Sequence, residues 1–310
     1  MEKLISIIIP AYNEKQNLDE LYRRINLNIN KIKKYDFEII LIENGSADNS
    51  IEKLMKFSQE DKRFKIIRLS RNFGCDNALS VGLLYAKGAA AILMNADLQD
   101  PPEMISQFID KWEEGYEIVY GIVRKRIGTG FFRSISTQIF YKVINLLTKG
   151  LFPKNASDFR IIDKQVYQLV NQMSERNRFL RGMIAWTGFK QASIPFDRPA
   201  RFSGKSKATF GYVFNLAANG IFSFSYFPLR LITILGIILS ICSCFLLFVY
   251  MFIFFTIKRE VPGFTTLVTV FLFMFGVQFF MLGIMGEYVG RIYEESKQRP
   301  NYIIKQLYGF

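Results

Sequence analysis

The chain has 310 residues, 50% of them hydrophobic and 22% charged, which exceeds one typical domain and fits a folded domain joined to membrane segments. The absence of histidine and the presence of only three cysteines exclude His-based triads, His metal ligands and a disulfide framework, so any chemistry rests on carboxylates, amides and cations. With 40 Lys and Arg against 27 Asp and Glu, the formal charge of +13 favours a polyanionic partner or an anionic membrane surface; the basic residues are scattered and carry no zinc-finger or RNA-binding signature, so nucleic acid is not expected.

Nothing at the N-terminus resembles a signal peptide, so anchoring is expected from later in the chain. Leu4 to Pro10 is a continuous, largely β-branched run of the kind buried in a parallel sheet. Phe37 to Ile42, Phe64 to Leu69, Ala89 to Met94 and Ile118 to Gly121 read as further strands, separated by helical patterns over Asn17 to Lys34, Asp48 to Gln59 and Asp76 to Ala86. That alternation predicts an α/β doubly wound domain, whose ligands bind where the strands end. The residues there are polar and acidic: Pro10 to Glu14 after the first strand, Glu43 to Asp48 after the second, and Asn95 to Pro102 after the fourth. Singly these are ordinary turn residues, Asp48 a helix cap and Pro101 a helix start. Together they define one candidate edge.

Beyond the sheet, Arg201 to Lys207 forms a basic loop that reads either as a lid or as a juxtamembrane anchor. Ala208 to Phe227 intersperses Phe210, Tyr212, Phe214, Phe222, Phe224 and Phe227 among small and polar residues and predicts an interfacial segment at headgroup depth. Leu231 to Ile257 and Val261 to Gly286 contain no charged side chain, and each exceeds the roughly 20 residues needed to span a bilayer. Two spanning helices joined by Lys258, Arg259 and Glu260 are predicted. The flanks carry Lys205, Lys207 and Arg230 before the pair and Arg291, Lys297, Arg299 and Lys305 after it, which places both flanks in the cytoplasm.

Five internal motifs and the tail carry a family resemblance: IIIPAYNE at Ile7 to Glu14, RNFG at Arg71 to Gly74, NADLQDPPE at Asn95 to Glu103, SDFRIID at Ser157 to Asp163, RFLRG at Arg178 to Gly182, and GEYVGRIYEESKQRPNY at Gly286 to Tyr302. The ordered set resembles the GT-A fold glycosyltransferases of family 2. Within them it is similar to the polyisoprenyl-phosphate branch of dolichol-phosphate mannose synthases and bactoprenol glucosyltransferases.

The resemblance implies a GT-A catalytic domain over 1–200 in the cytoplasm, the basic loop and interfacial segment over 201–229, a transmembrane pair over 230–288 and a cytoplasmic tail over 289–310. It implies that Pro10, Tyr12, Glu14, Glu43, Asn44, Ser46 and Asp48 hold the base and ribose of a nucleotide sugar, with Asn72, Asn95 and Ala96 beside them. Asp97 and Gln99, with Asn95, are implied to hold Mg2+ or Mn2+ on the diphosphate, and Arg201, Ser206 and Lys207 to reach that diphosphate. Asp158 and Arg160 fall in the implied acceptor loop, with Arg160 ranked first for phosphate contact and Asp158 a candidate base. The implied partners are a nucleotide sugar, a polyisoprenyl phosphate, the lipid bilayer of the inner or plasma membrane, and further copies of the chain, as in a tetramer.

The implied reaction is inverting transfer from UDP-glucose, UDP-N-acetylglucosamine or GDP-mannose to the lipid phosphate. A phosphate monoester with a second pKa of about 6 is already an anionic nucleophile at neutral pH, so a strong base is dispensable. Two departures stand out: relatives usually carry Asp at the position of Asn44 and often at that of Asn95, which puts the metal geometry in doubt and leaves an inactive nucleotide- or lipid-binding homologue as the alternative. A processive polysaccharide synthase would need more spans and a Gln-x-x-Arg-Trp motif, and a channel would need charges in its spans.

Overall fold

The computed structural model describes residues 4–126, 155–203, 222, 225–257 and 263–310. Ser206, Lys207, most of the predicted interfacial segment and the link 258–260 lie outside the described residues. The chain divides into two compact units, Met1–Gly220 with Arg299–Phe310, and Ile221–Gln298.

In the first unit, β1 (Leu4–Ala11), α1 (Leu18–Ile29), β2 (Asp36–Glu43), α2 (Ser50–Glu60), β3 (Phe64–Leu69), α3 (Cys75–Tyr85) and β4 (Ala90–Leu93) alternate as the sequence predicts. A short 3-10 turn and α4 (Ile105–Glu113) lead to β5 (Ile118–Arg126); β6 (Ala156–Asp163), α5 (Lys164–Gln172), α6 (Leu180–Trp186) and β7 (Gln191–Arg198) follow, and β8 (Ile304–Tyr308) closes the chain. Among the described residues the strands form one sheet in the order β7-β5-β6-β4-β1-β2-β3-β8. The centre is parallel, while β6 runs antiparallel to β4 and β5, and β8 antiparallel to β3.

Ile5, Ile7, Ile8 and Ile9 are all fully buried, as expected for a central strand covered on both faces. On α1 the buried residues Leu18, Leu21, Ile25 and Ile29 recur at helical spacing, and Tyr22 stacks on Phe57 of α2 with centroids 4.4 Å apart. On α3, Gly82 lets the helix lie close to the sheet: a Cβ there would stand 2.3 Å from Ile8 Cγ2 and 2.9 Å from Ile42 Cδ1.

The strand order places the functional edge. Because β1 pairs β2 on one side and β4 on the other, the winding reverses between β1 and β4, and a crevice opens outside their carboxyl ends. Antiparallel β6 enters the sheet at that same edge, with Arg160 opposite Leu93 near the end of β4, and β7 ends there at Arg198. Strand ends far apart in sequence therefore converge.

The second unit holds α7 (Phe227–Ile257) and α8 (Phe264–Ser296). Within them, Phe227–Leu246 and Val270–Ser296 are long and apolar enough to cross a membrane, with mean hydropathies of 2.3 and 1.8. Their large apolar side chains stay exposed, Phe248 by 69% and Phe279 by 70%, so apolar solvent is the medium that suits them. The hydroxyls of Ser240 and Thr256 donate to the carbonyls of Gly236 and Phe252, satisfying both within the helix. Helix α8 runs ten residues past the uncharged stretch that ends at Gly286, supported by Glu287–Arg291 and Glu294–Lys297 pairs one turn apart.

Candidate active site

The turns after β1 and β2 are laced together by backbone and amide groups. The Asn13 amide N–H donates to Ser46 Oγ at 3.0 Å, Ala47 N donates to Asn13 Oδ1 at 2.8 Å, and Lys15 N donates to Asp48 Oδ2 at 3.0 Å. Asn13 is held at a φ of 52°, in the left-handed region that Asn tolerates better than most side chains. Asp48 also accepts from the N–H and hydroxyl of Ser50; burial raises its carboxyl, these donors outweigh burial, and the group sits below the usual carboxylate range. Glu43, fully buried, accepts from Ser46 N at 2.5 Å and faces Arg68 at 3.5 Å.

Asn44 joins this pair of turns to the one after β3. Its Nδ2 donates to Asn72 Oδ1 at 3.2 Å and to the Gly74 carbonyl at 3.1 Å, and its Oδ1 accepts from Phe73 N at 3.0 Å. Gly45, at φ 71°, lets the turns touch: a Cβ there would lie 2.5 Å from the Arg71 carbonyl carbon. A carboxylate has no donor to offer at either of the two Nδ2 positions. Asn rather than Asp at this place is what the local hydrogen bonds require.

Asn95 behaves alike. Its N and Nδ2 both donate to Asp100 Oδ2, at 3.0 and 2.8 Å, and its Oδ1 faces the Cys75 thiol at 3.8 Å. Asp100 is fully buried; burial pushes its carboxyl up to about 6, Asp97 adds to the rise, and Arg198, whose guanidinium is 3.7 Å away, opposes it. An Asp at position 95 would set a second carboxylate against this one.

Asp97 sits in the crevice, nearly buried. Its Oδ1 accepts from Gln99 N at 3.1 Å across Leu98, whose φ of 61° is unusual for a branched residue and marks a tightly constrained turn. Its Oδ2 meets Arg201 at 2.9 Å, and Arg201 also stands 4.0 Å from Glu14. Gln99 Nε2 donates to the Pro199 carbonyl at 3.2 Å, and the Ser203 hydroxyl donates to Gln16 Oε1. The segment after β7 is thus laid across the turns after β1 and β4.

On the β6 side the fastening is ionic. Asp158 Oδ1 accepts from Arg181 Nε and Nη2 at 2.9 and 2.7 Å and lies 3.9 Å from Arg160. Burial raises its carboxyl, but Arg181 and Arg160 outweigh that and hold it below the ordinary value, so it stays ionised and is a weak base. Arg160 is buried on β6, donates to the carbonyls of Ser157 and Asp158, and is lowered to about 10 by burial. Both residues lie on strand β6. Asp76, on the first turn of α3, accepts from Leu180 N at 3.3 Å, and burial together with the nearby Asp158 pushes it up to about 7. Burial and the surrounding carboxylates push the Cys75 thiol well up, which removes it as a nucleophile.

The fold thus gathers Glu14, Glu43, Asn44, Ser46, Asp48, Asn72, Asn95, Asp97, Gln99, Asp158, Arg160 and Arg201 at one edge, with Pro10, Tyr12 and Ala96 in the same turns. Asp76, Arg181 and Arg198 join them and are not visible from turn chemistry; the only signal for Arg181 was its place within RFLRG. Among the described residues no three Asp, Glu or Cys side chains form a metal cage. The carboxylate of Asp97 and the amide oxygen of Gln99 fit a hard cation that takes most of its ligands from phosphate and water.

Residues 6–170 match the family described as Glycosyl transferase family 2. The chain is 43% identical over 305 residues to an uncharacterized glycosyltransferase of Synechocystis, covering 98% of this chain and 96% of that one. It is 35% identical over 302 residues to the bactoprenol glucosyl transferase of Shigella phage SfV, covering 97% and 98%. The crystal structure of glucosyl-3-phosphoglycerate synthase from Mycobacterium tuberculosis, in complex with Mn2+, UDP-glucose and phosphoglyceric acid, superposes with a TM-score of 0.50 at 15% identity over 71% of this chain and 78% of that one, which establishes a common fold.

Proposed function

The chain belongs to glycosyl transferase family 2 and is a glycosyltransferase with a GT-A fold, and from that premise we propose that it moves a sugar from a nucleotide sugar onto a polyprenyl phosphate at a membrane surface. The observation that carries this reading is how far the likeness to bactoprenol glucosyl transferases extends. It covers 97% of this chain, so it continues beyond the sheet through both apolar helices and the tail. A lipid acceptor explains why an enzyme of this family keeps two helices that suit a bilayer.

In this reading the turns of Tyr12, Glu14, Asn44 and Asp48 receive the nucleoside, and Asp97 with Gln99 would hold Mg2+ or Mn2+. Such a cation supplies positive charge to a diphosphate leaving group. Asn95, turned toward Asp100, serves as a brace rather than a ligand. Arg201 exchanges Asp97 for the diphosphate when the donor enters, and Ser206 and Lys207 extend the same loop.

On the other side Arg160 and Arg181 neutralise and orient the acceptor phosphate, and Asp158 keeps both guanidiniums in place. The phosphate oxygen attacks the anomeric carbon as the nucleoside diphosphate departs, in a single inverting displacement. The positive flanks and the absence of charge from Leu231 to Ile257 and from Val261 to Gly286 favour two crossings with the catalytic unit in the cytoplasm, at the inner or plasma membrane. The name of the phage relative favours UDP-glucose over UDP-N-acetylglucosamine or GDP-mannose.

Full-length protein in detergent, given undecaprenyl phosphate and radiolabelled nucleotide sugars with Mg2+ or Mn2+, is expected to yield labelled lipid with UDP-glucose. Binding of donor without labelled lipid from any sugar would instead identify an inactive homologue.

A further inference from the structure

The carboxylates of the crevice are unequally paired. Asp97 pairs with Arg201 at 2.9 Å, Asp100 faces Arg198 at 3.7 Å, and Asp158 pairs with Arg181 at 2.7 Å. Asp76 lies in the same cluster, yet among the described residues no ammonium or guanidinium comes within 4.0 Å of it. Among the described residues its carboxylate accepts a single hydrogen bond, from Leu180 N at 3.3 Å. Leu180 and Arg181 are successive residues opening α6, so one helix start holds two carboxylates, Asp76 through its backbone and Asp158 through its guanidinium.

From this placement, and resting on the acceptor reading above, we propose that Asp76 is the proton acceptor of the acceptor site. Asp158, fastened to Arg181, stays ionised and fixes the geometry. Asp76 receives the proton that the lipid phosphate carries when it binds as a monoanion beside other negative groups. In the transfer step the O–H bond of the phosphate breaks and its proton moves to Asp76. The freed oxygen forms the bond to the anomeric carbon, and the bond from that carbon to the β-phosphate oxygen breaks, its electron pair leaving with the nucleoside diphosphate. No other reactant is needed.

The surroundings of Asp76 suit the role. Asp158 and Arg160 face it from β6, Arg181 from α6, Arg178 from the segment before α6, and Cys75 from its own helix. Burial and Asp158 raise its carboxyl to about 7, against the opposing pull of Arg181 and Arg160. A proton acceptor is most effective when its pKa lies near the working pH.

Full-length wild-type, Asp76→Asn and Asp76→Glu proteins, assayed from pH 5.5 to 9 with undecaprenyl phosphate, test the assignment, together with a carboxyl titration followed by infrared difference spectroscopy. Wild type is expected to lose kcat/KM for the acceptor below a pH of roughly 7. Asp76→Asn is expected to fall roughly 100-fold at neutral pH and to lose that acidic limb, with Asp76→Glu restoring both. An Asp76→Asn enzyme that keeps the wild-type rate, or that falls equally at every pH with the limb in place, overturns the proposal. A wild type that shows the near-neutral carboxyl titration but never glycosylates the lipid overturns the acceptor reading instead, whereas lipid turnover without that titration overturns the role of Asp76 alone.

Discussion

The two sides of the crevice are built from different materials. On the β1–β3 side, Asn13 and Asn44 tie neighbouring turns through neutral amides and backbone groups, each bond directional and indifferent to pH. On the β6–α6 side, Asp158, Arg160, Arg181 and Asp76 are held by charge, and the balance among them shifts with every proton gained or lost. The contrast suits the ligands proposed above: a nucleoside must be recognised by shape and donor–acceptor pattern, whereas a phosphate monoester changes its charge within the physiological range.

Asp97 stands where the two sides meet, and Asp97→Ala should have the largest effect, a loss of roughly 10²–10³-fold in kcat with the thermal midpoint little changed. Steady-state sugar transfer and thermal unfolding of the detergent-solubilised protein measure both. Retention of full activity would remove Asp97 from the centre of the comparison.

Asn44→Asp tests the neutral side. It withdraws two donors from a buried site and turns acceptors toward Asn72 Oδ1 and the Gly74 carbonyl, so a loss of about 2 kcal/mol in stability is expected at pH 7. A stable, fully active Asn44→Asp protein would show that the amides are interchangeable with carboxylates after all.

The smallest expected effect separates the charged side by its pH dependence. Asp76 titrates higher in the folded chain, near 7, than the 3.8 of an unperturbed carboxyl, so between those values the folded state holds a proton that the unfolded state has released. Stability should therefore fall as pH rises from about 4 through about 7, and Asp100, raised to about 6, adds to the same trend. Asp76→Asn should unfold at a higher temperature than wild type at pH 8, by on the order of 1 kcal/mol, with the difference closing near pH 4. Melting curves across that range decide it.

The sequence made the neutral side easier to read than the charged one. Strands β1 to β4 are apolar runs rich in β-branched residues and bounded by turn signals, and the turns that follow them carry in plain view the residues proposed for the donor side. Strand β6 hides because its opening residues face the site, so Ser157, Asp158 and Arg160 break the apolar pattern a central strand would show. Asp76 and Arg181 acquire meaning only when the starts of α3 and α6 are brought together, a contact between distant parts of the chain that no local periodicity records. Asn44 and Asn95 were legible as residues but not as bonds: the sequence showed two missing negative charges, and the structure shows four N–H···O bonds donated by their side-chain and main-chain nitrogens to Asn72, Gly74 and Asp100.

The last strand has a consequence for how the protein is made. β8 pairs with β3 through Ile66–Tyr308 and Ile67–Leu307, Ser70 N donates to the Ile303 carbonyl, and Phe310 packs edge-on against Tyr85. The edge of β3 is synthesised early, while its partner leaves the ribosome only after both apolar helices; at ~5–20 residues per second that edge waits on the order of ten to fifty seconds. An unpaired edge is a ready template for another chain, so a nascent protein that stalls in the second apolar helix remains open to aggregation and to proteases. Completion of the sheet thus reports that translation has run through both helices.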